Sequence, residues 1–289
     1  METEITFRSE GIDIAGVLHR PDRLPANGKA PAIITIHGFG GSKIDQGMVD
    51  ACRAFRDWGY AALRLDMRGC GQSGGTPGRI ISFDQVADTR NAISWLAEQD
   101  GVDGEKICLL GDSMGGAVAA YTGSTDDRVA AVISVGGWGH GADKLKGQHP
   151  GPGAWEKFLK MLEDGRKHRQ ETGESLWVSR FDIVPIPEHM RGHLPADAVM
   201  EFPVETAQSI YDFRPNRVIA QLAPRPLLLL HASKDAVTPT GSSINMFRCA
   251  GRPTDLMFLA DVDHFPLAVG NKRIYDIIKG WLDIRLPLS

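Results

Sequence analysis

The sequence predicts an α/β fold whose central β-sheet is mostly parallel. Three observations predict it: short apolar runs recur along the chain, stretches with apolar residues at helical spacing lie between them, and the two kinds of segment alternate. Such alternation is typical of helices that cross over a parallel sheet buried on both faces. At 289 residues, the chain is long enough for one large domain that carries an insertion.

The elements are predicted in chain order, beginning with two strands at 4–7 and 12–18. The turn at Glu10-Gly11 joins them and indicates an antiparallel hairpin. Apolar runs then predict strands at 32–36, 61–65, 106–110, 129–135, 226–230 and 256–259. Helical spacing predicts helices at 48–58, 83–97, 114–121 and 273–282.

Residues 138–216 break this alternation, because they contain no strand run and are rich in Gly, Pro, aromatic and charged residues. A structureless segment of this length is unusual in a compact domain, so we expect a helical cap insertion with one helix at 154–168. The predicted organisation is a core of 1–137 and 217–289 with the cap above the carboxyl edge of the sheet, where open α/β folds bind ligands.

Composition excludes several classes of function. Lys and Arg number 32 against 36 Asp and Glu, and they form no basic stripe, so no nucleic-acid partner is expected. No apolar stretch approaches the ~20 residues of a membrane span, and the N-terminus lacks a secretory core, so we expect a cytoplasmic protein without membrane association. The four widely spaced cysteines indicate reduced, mostly buried thiols.

The pattern Gly-x-Ser-x-Gly occurs twice, at 71–75 and 111–115, so the motif alone does not identify a nucleophile. A serine nucleophile needs a tight strand-to-helix turn that exposes its hydroxyl and aims the following N–H groups at a developing oxyanion. Ser113 has a predicted strand before it and a small-residue helix after it, whereas Ser73 lies in a glycine-rich loop where Pro77 prevents a helix. The context therefore indicates Ser113.

A serine nucleophile also needs a base with a pKa near neutrality, and histidine fits. In chain order the acid and then the histidine should follow the nucleophile, each on a loop after a strand. His264 follows the last predicted strand, whereas His231 ends an apolar run and is expected to pack. Asp235 is the candidate acid; Asp261 and Asp263 are too close to His264 along the backbone to reach its far nitrogen easily.

The glycine-rich loop at 37–41 would supply an oxyanion donor, and the backbone amides of Phe39 and Met114 are the candidates. His37 is expected to be a structural hydrogen-bonding residue. Phe39 and Trp138 are the expected substrate-binding residues. Other apolar side chains of the insertion either line an acyl pocket with Trp138 or form the small core of the insertion: Trp155, Phe158, Trp177, Phe181, Met190, Phe202 and Phe213.

Two further patterns indicate a cofactor or metal only superficially. Glycines at 69, 71 and 74 imitate a dinucleotide-binding motif, but no helix opens at them and Asp88 lies inside a predicted helix. His189 and His193 are four residues apart, but the surrounding prolines do not suit a long helix. We therefore expect no cofactor and no metal site.

Four motifs in order carry a family resemblance: His-Gly-Phe-Gly-Gly at 37–41, Asp-Met-Arg-Gly-Cys-Gly-Gln-Ser at 66–73, Gly-Asp-Ser-Met-Gly-Gly at 111–116, and the loops of Asp235 and His264. With them the chain resembles the α/β-hydrolase superfamily, and is similar within it to cinnamoyl/feruloyl esterases and dienelactone-hydrolase-like esterases. One departure is Asp112, because those esterases usually carry histidine before the nucleophile.

The resemblance implies a Ser-His-Asp enzyme that hydrolyses a small-molecule carboxylic ester, with residues 66–73 as a structural turn. The same fold and triad also cleave thioesters, amides or carbon-carbon bonds, and some members only bind ligands. A homo-oligomer is left open.

Overall fold

The computed structural model describes residues 1–267 and 271–288. The N-terminal hairpin is confirmed: β1 (Glu2–Ser9) and β2 (Ile12–His19) pair antiparallel. Glu10 and Gly11 form the turn with φ values of 48° and 84°, which suits the twist of a two-residue hairpin.

The remaining strands extend this hairpin into the main sheet, except for β7 and β8, which form a separate antiparallel pair. They are β3 (Ala30–Ile36), β4 (Ala61–Leu65), β5 (Val102–Asp112), β6 (Val129–Val135), β7 (Trp177–Ser179), β8 (Glu201–Pro203), β9 (Leu227–Ala232) and β10 (Thr254–Leu259). The main sheet has the order β1-β2-β4-β3-β5-β6-β9-β10 and is parallel from β4 to β10. The predicted α/β class is confirmed.

The helices lie between and after these strands. They are α1 (Gln46–Asp57), α2 (Ser82–Ala97), α3 (Met114–Thr125), α4 (Gly141–Gln148), α5 (Ala154–Thr172), α6 (Arg180–Ile183), α7 (Val204–Asp212), α8 (Gly241–Cys249) and α9 (Lys272–Arg285). The predicted helices correspond to α1, α2, α3, α5 and α9. In the described ranges no helix is long and apolar enough to cross a membrane.

The central strands of the sheet, such as β3, β4 and β9, are buried on both faces. Alternate side chains of each strand point to opposite sides, and each side is covered by an apolar cluster. On β3, Ile34 joins the apolar cluster under α2 and α3, whereas Ile33 joins the cluster under α1 and α9. This double burial explains why the central strands read as continuous apolar runs.

The segment between β6 and β9 contains α4 to α7 and the β7-β8 pair. The expectation that 138–216 contains no strand was wrong. Both strands are three residues long, too short to produce an apolar run that the sequence could reveal. The cysteine expectation holds for Cys52, Cys70 and Cys108, which are free and buried, but Cys249 is exposed.

Candidate active site

Ser113 sits in a strained turn between β5 and α3, at φ 52° and ψ −112°. Positive φ is uncommon for a residue other than glycine and persists only where the surroundings enforce it. The flanking glycines allow this turn: a Cβ on Gly111 would lie 2.0 Å from the carbonyl oxygen of Gly115, and one on Gly115 would lie 2.1 Å from that of Ile36. The motif therefore reflects backbone contact on both sides of the serine.

The structure brings Ser113, His264 and Asp235 together. His264 Nε2 lies 3.1 Å from Ser113 Oγ, and His264 Nδ1 lies 2.8 Å from Asp235 Oδ2 and 2.9 Å from Oδ1. All three side chains are buried or nearly so. With this spacing His264 can accept the serine proton while the carboxylate fixes its tautomer and stabilises the imidazolium.

Asp235 is held ionised by its surroundings. Burial by itself would raise the pKa of Asp235, but the two imidazole rings beside it, His264 and His231, hold that pKa well below its ordinary range. The backbone N–H groups of Val237 and Thr238 also donate to Oδ1, at 2.9 and 2.6 Å. The acid is thus fixed in both charge and orientation.

The rival acids have other contacts. Asp263 Oδ1 accepts from the backbone N–H groups of Ala236 and His264, at 2.8 and 2.7 Å, and so ties the two loops together. Asp261 is exposed and pairs with Lys234 at 2.8 Å.

His231 does more than pack. Its ring is fully buried, and its Nε2 lies 3.2 Å from Asp235 Oδ2, the oxygen that His264 also contacts. The sequence predicted only a packing residue here, because nothing in an apolar run ending in histidine reveals a second contact with the acid.

The candidate oxyanion donors have free backbone N–H groups. Among the described residues, the N–H groups of Phe39 and Met114 donate to no acceptor. Met114 opens α3, where the first amides of a helix lack intrahelical partners. Arg180 holds the loop of Phe39 in place, because its guanidinium donates to the carbonyl oxygens of Phe39 and Gly40.

A small cavity of about 30 Å³ adjoins Ser113 and His264. The core supplies Phe39 and Phe265 to its wall, and the segment 138–216 supplies Arg180, Val184, Ile186, Leu194 and Pro195. A space of this size holds about one water molecule. The segment 138–216 therefore contributes directly to the walls around the serine.

Two carboxyl groups line the same cavity. Asp112 Oδ1 is buried without a hydrogen-bond partner among the described residues. Burial, helped by the charges of Asp45 and Asp235, raises the pKa of Asp112 well above its ordinary value. Burial also raises the pKa of Asp45, although Asp45 caps α1 by accepting from the N–H of Gly47. Both carboxyls are therefore easier to protonate than ordinary aspartates.

Trp138 is not among the residues that line this cavity, and its role in substrate binding stays a prediction. Its ring is buried beside Phe213, edge-on at 5.9 Å between ring centroids, with the Lys144 ammonium 5.8 Å above it. Burial lowers the pKa of Lys144 to about 7. Phe158, Phe202 and Phe213 are buried as well, as expected if they form the core of the insertion.

The remaining sequence candidates have structural roles. Ser73 Oγ donates to the carbonyl of Asp66 at 2.6 Å and accepts from the N–H of Ala15 at 2.9 Å, which fixes the turn. His37 Nε2 accepts from the N–H of Met67 at 3.1 Å. Within residues 1–267 and 271–288, no group of three or more His, Cys, Asp or Glu side chains is arranged to hold a metal.

The sequence did not single out Arg180 or Asp45 as parts of the site. The residues around Arg180 in the insertion form no recognisable motif, and neither does the loop that contains Asp45. Only the tertiary fold shows that both reach Ser113's cavity.

The chain is also similar to known proteins. The family model for serine aminopeptidase, S33, matches residues 28–264. Two relatives are 26% identical to the chain: the polyketide transferase grgF of a Penicillium species, covering 91% of this chain and 88% of the relative, and the thiohydrolase aneE of Aspergillus aculeatus, covering 93% and 88%.

Solved structures match over nearly the whole chain. The α/β hydrolase GrgF from Penicillium sp. sh18 superimposes with a TM-score of 0.82 at 21% identity, covering 99% of both chains. Est1E from Butyrivibrio proteoclasticus, solved with ferulic acid, gives 0.70 at 19% identity, covering 98% of this chain and 99% of Est1E.

Proposed function

The chain belongs to the serine aminopeptidase, S33, family within the α/β-hydrolase superfamily, and we propose that it cleaves a carboxylic ester through an acyl-enzyme on Ser113. One observation carries the proposal: Ser113 Oγ, the two ring nitrogens of His264 and the carboxylate of Asp235 form a continuous line of contacts of 3.1 and 2.8 Å. This is the arrangement that activates a serine hydroxyl.

In the proposed reaction, His264 Nε2 takes the Ser113 proton as Oγ bonds to the ester carbonyl carbon. The amides of Phe39 and Met114 would bind the resulting oxyanion. The tetrahedral intermediate then collapses. The bond between the former carbonyl carbon and the alcohol oxygen breaks, and that oxygen takes the proton from His264. Water then attacks the acyl-enzyme with His264 again as base, releasing the acid and free Ser113.

Residues 138–216 act in this proposal as a cap. The cavity of about 30 Å³ is too small for an ester, and its outer wall includes Val184, Ile186, Leu194 and Pro195. In the proposal, a bound ester displaces this stretch of the cap. Once it has closed, the site excludes bulk water, which strengthens the electrostatic contacts to the oxyanion.

A second candidate is a thioester substrate. The relative grgF is a polyketide transferase and the relative aneE is a thiohydrolase, and these activities favour an acyl thioester as the substrate. The same acyl-enzyme forms from a thioester, and the leaving thiolate needs less help from the imidazolium than an alkoxide does.

A substrate panel tests the proposal. We expect p-nitrophenyl and hydroxycinnamate esters to be hydrolysed with kcat/KM at least about tenfold above that for acyl thioesters, and Ser113→Ala to lose about 10³-fold or more. Ser73→Ala, which removes the serine of the other Gly-x-Ser-x-Gly motif, should keep activity. A preference for thioesters would establish the second candidate. Equal activity of Ser113→Ala and wild type would refute both.

A further inference from the structure

We propose that His231 is a positioning residue of the active site, which holds the carboxylate of Asp235 in the orientation that His264 requires. The inference deepens the proposed function and rests on it. It is carried by the contacts of His231, which lies near the end of β9, four residues before the acid, with a ring that is fully buried.

The direction of each hydrogen bond of His231 follows from its partners. Nε2 lies 3.0 Å from the carbonyl oxygen of Thr238, which can only accept, so Nε2 carries a hydrogen. The same nitrogen lies 3.2 Å from Asp235 Oδ2, so the polar N–H edge of the ring lies beside the carboxylate while the N–H bond itself is directed at Thr238. In the neutral ring Nδ1 then accepts from the Ser243 hydroxyl, at 2.6 Å. The carbonyl of Thr238 therefore sets the tautomer in which the N–H edge of the ring, at Nε2, lies beside Asp235, and Ser243 on α8 is the partner of the other nitrogen.

The two histidines share one carboxylate oxygen. Asp235 Oδ2 is contacted by side chains, His264 Nδ1 at 2.8 Å and His231 Nε2 at 3.2 Å, whereas Oδ1 is fixed by two backbone amides and also lies 2.9 Å from His264 Nδ1. Contacts thus run from Ser243 through His231, Asp235 and His264 to Ser113. The polar N–H edge of His231 beside Oδ2 opposes rotation of the carboxylate and draws part of its charge away from His264.

Packing alone does not account for this histidine. The preceding residues of β9 are leucines that fill the same sheet, and an imidazole without partners would be costly to bury there. Both ring nitrogens are instead satisfied, Nδ1 by Ser243 and Nε2 by Thr238, and Nε2 is in addition held beside the acid. Other ionisable groups also face the acid: Lys144 on α4 and Asp112 on β5, while Asp263 bonds the neighbouring backbone. They remain in place when only His231 is changed.

His231→Phe removes the donor while keeping a buried ring. Without the N–H of His231 beside it, the negative charge of Asp235 acts more strongly on His264 and stabilises its protonated ring. The acidic limb of the pH profile of kcat/KM should therefore move to higher pH by about 0.4–1 unit. The kcat at neutral pH should fall about tenfold, with KM changed less than about threefold, because the loss concerns orientation in the transition state. His231→Gln, whose amide N–H reaches the position of Nε2, should restore most of both.

The experiment measures pH profiles of kcat/KM for wild type, His231→Phe and His231→Gln, each normalised to the fraction of enzyme that a fluorophosphonate titrates. His19→Phe is the matched control: His19 is equally buried, on β2, and bonds Arg64 instead of the acid. We expect the control to lose stability but to keep the wild-type profile.

Coincident acidic limbs for wild type and folded His231→Phe would overturn the inference. If that variant does not fold, His231→Leu replaces it, because leucine continues the apolar run of β9: the shift should be in the same direction, and its absence would overturn the inference equally. Failure of the proposed function looks different, because wild-type enzyme would then not be titrated by the fluorophosphonate at all.

Discussion

Replacing Asp235 by Asn should disable His264 through its tautomer. The oxygen of Asn must take the place of Oδ1, because the N–H groups of Val237 and Thr238 both point at that atom. The Asn amide N–H₂ then faces His264 Nδ1 and donates to it. The ring hydrogen moves to Nε2, which then donates to Ser113 and can no longer take the serine proton.

The structure sets the size of this effect. The productive tautomer requires Asn to flip, which would turn its N–H₂ group against two backbone N–H donors. Each buried donor left without an acceptor costs about 1–3 kcal/mol, so the flip costs about 2–6 kcal/mol. At about 1.36 kcal/mol per factor of ten, kcat/KM should fall by about 10²–10⁴.

The assay is steady-state hydrolysis of a p-nitrophenyl ester, with circular dichroism to show that the variant is folded. Asp263→Asn is the matched control, because Asn retains the oxygen that accepts from the backbone of Ala236 and His264. That variant should stay within about fivefold of wild type. Asp235→Asn within tenfold of wild type, or an equal loss in Asp263→Asn, would refute the reasoning.

Three further predictions concern the surrounding residues. Gly115→Ala places a Cβ 2.1 Å from the carbonyl of Ile36 and should lower the free energy of unfolding in urea by more than about 3 kcal/mol; wild-type stability would contradict this. The raised pKa of Asp112 means that its charged form costs stability as pH rises, so Asp112→Asn should raise Tm by roughly 2–6 °C at pH 8 and less on acidification towards pH 4; an equal Tm gain at both would contradict this. Arg180→Met removes the donors to the carbonyl of Phe39 and should lower kcat/KM at least about tenfold in folded enzyme; an unchanged value would contradict this.

The sequence was sufficient for the core of the fold, because burial on both faces of the sheet leaves continuous apolar runs separated by helical spacing. It also distinguished Ser113 from Ser73, since only one of the two motifs has a strand before it and a helix after it. The backbone approach of Gly115 to Ile36 gives that distinction its physical reason.

The features that sequence reasoning missed depend on distant parts of the chain. Arg180 bonds to the carbonyl of Phe39 although the two residues are 141 positions apart in the sequence, and no local pattern predicts that contact. Trp138 was expected at the substrate pocket, yet the sequence does not say which way the ring turns after β6, and in the structure it packs beside Phe213. His231 shows the same limit, since its contact with Asp235 appears only when the loop folds back on the strand.

Covalent labelling tests the central claim most directly. Wild-type enzyme treated with a fluorophosphonate and digested should carry one phosphonyl adduct, on the peptide that contains Ser113. The adduct should be absent from Ser113→Ala, and it should form more slowly in Asp235→Asn because His264 then presents a hydrogen to the serine. An adduct on Ser73, or folded wild-type enzyme that forms none, would contradict the account.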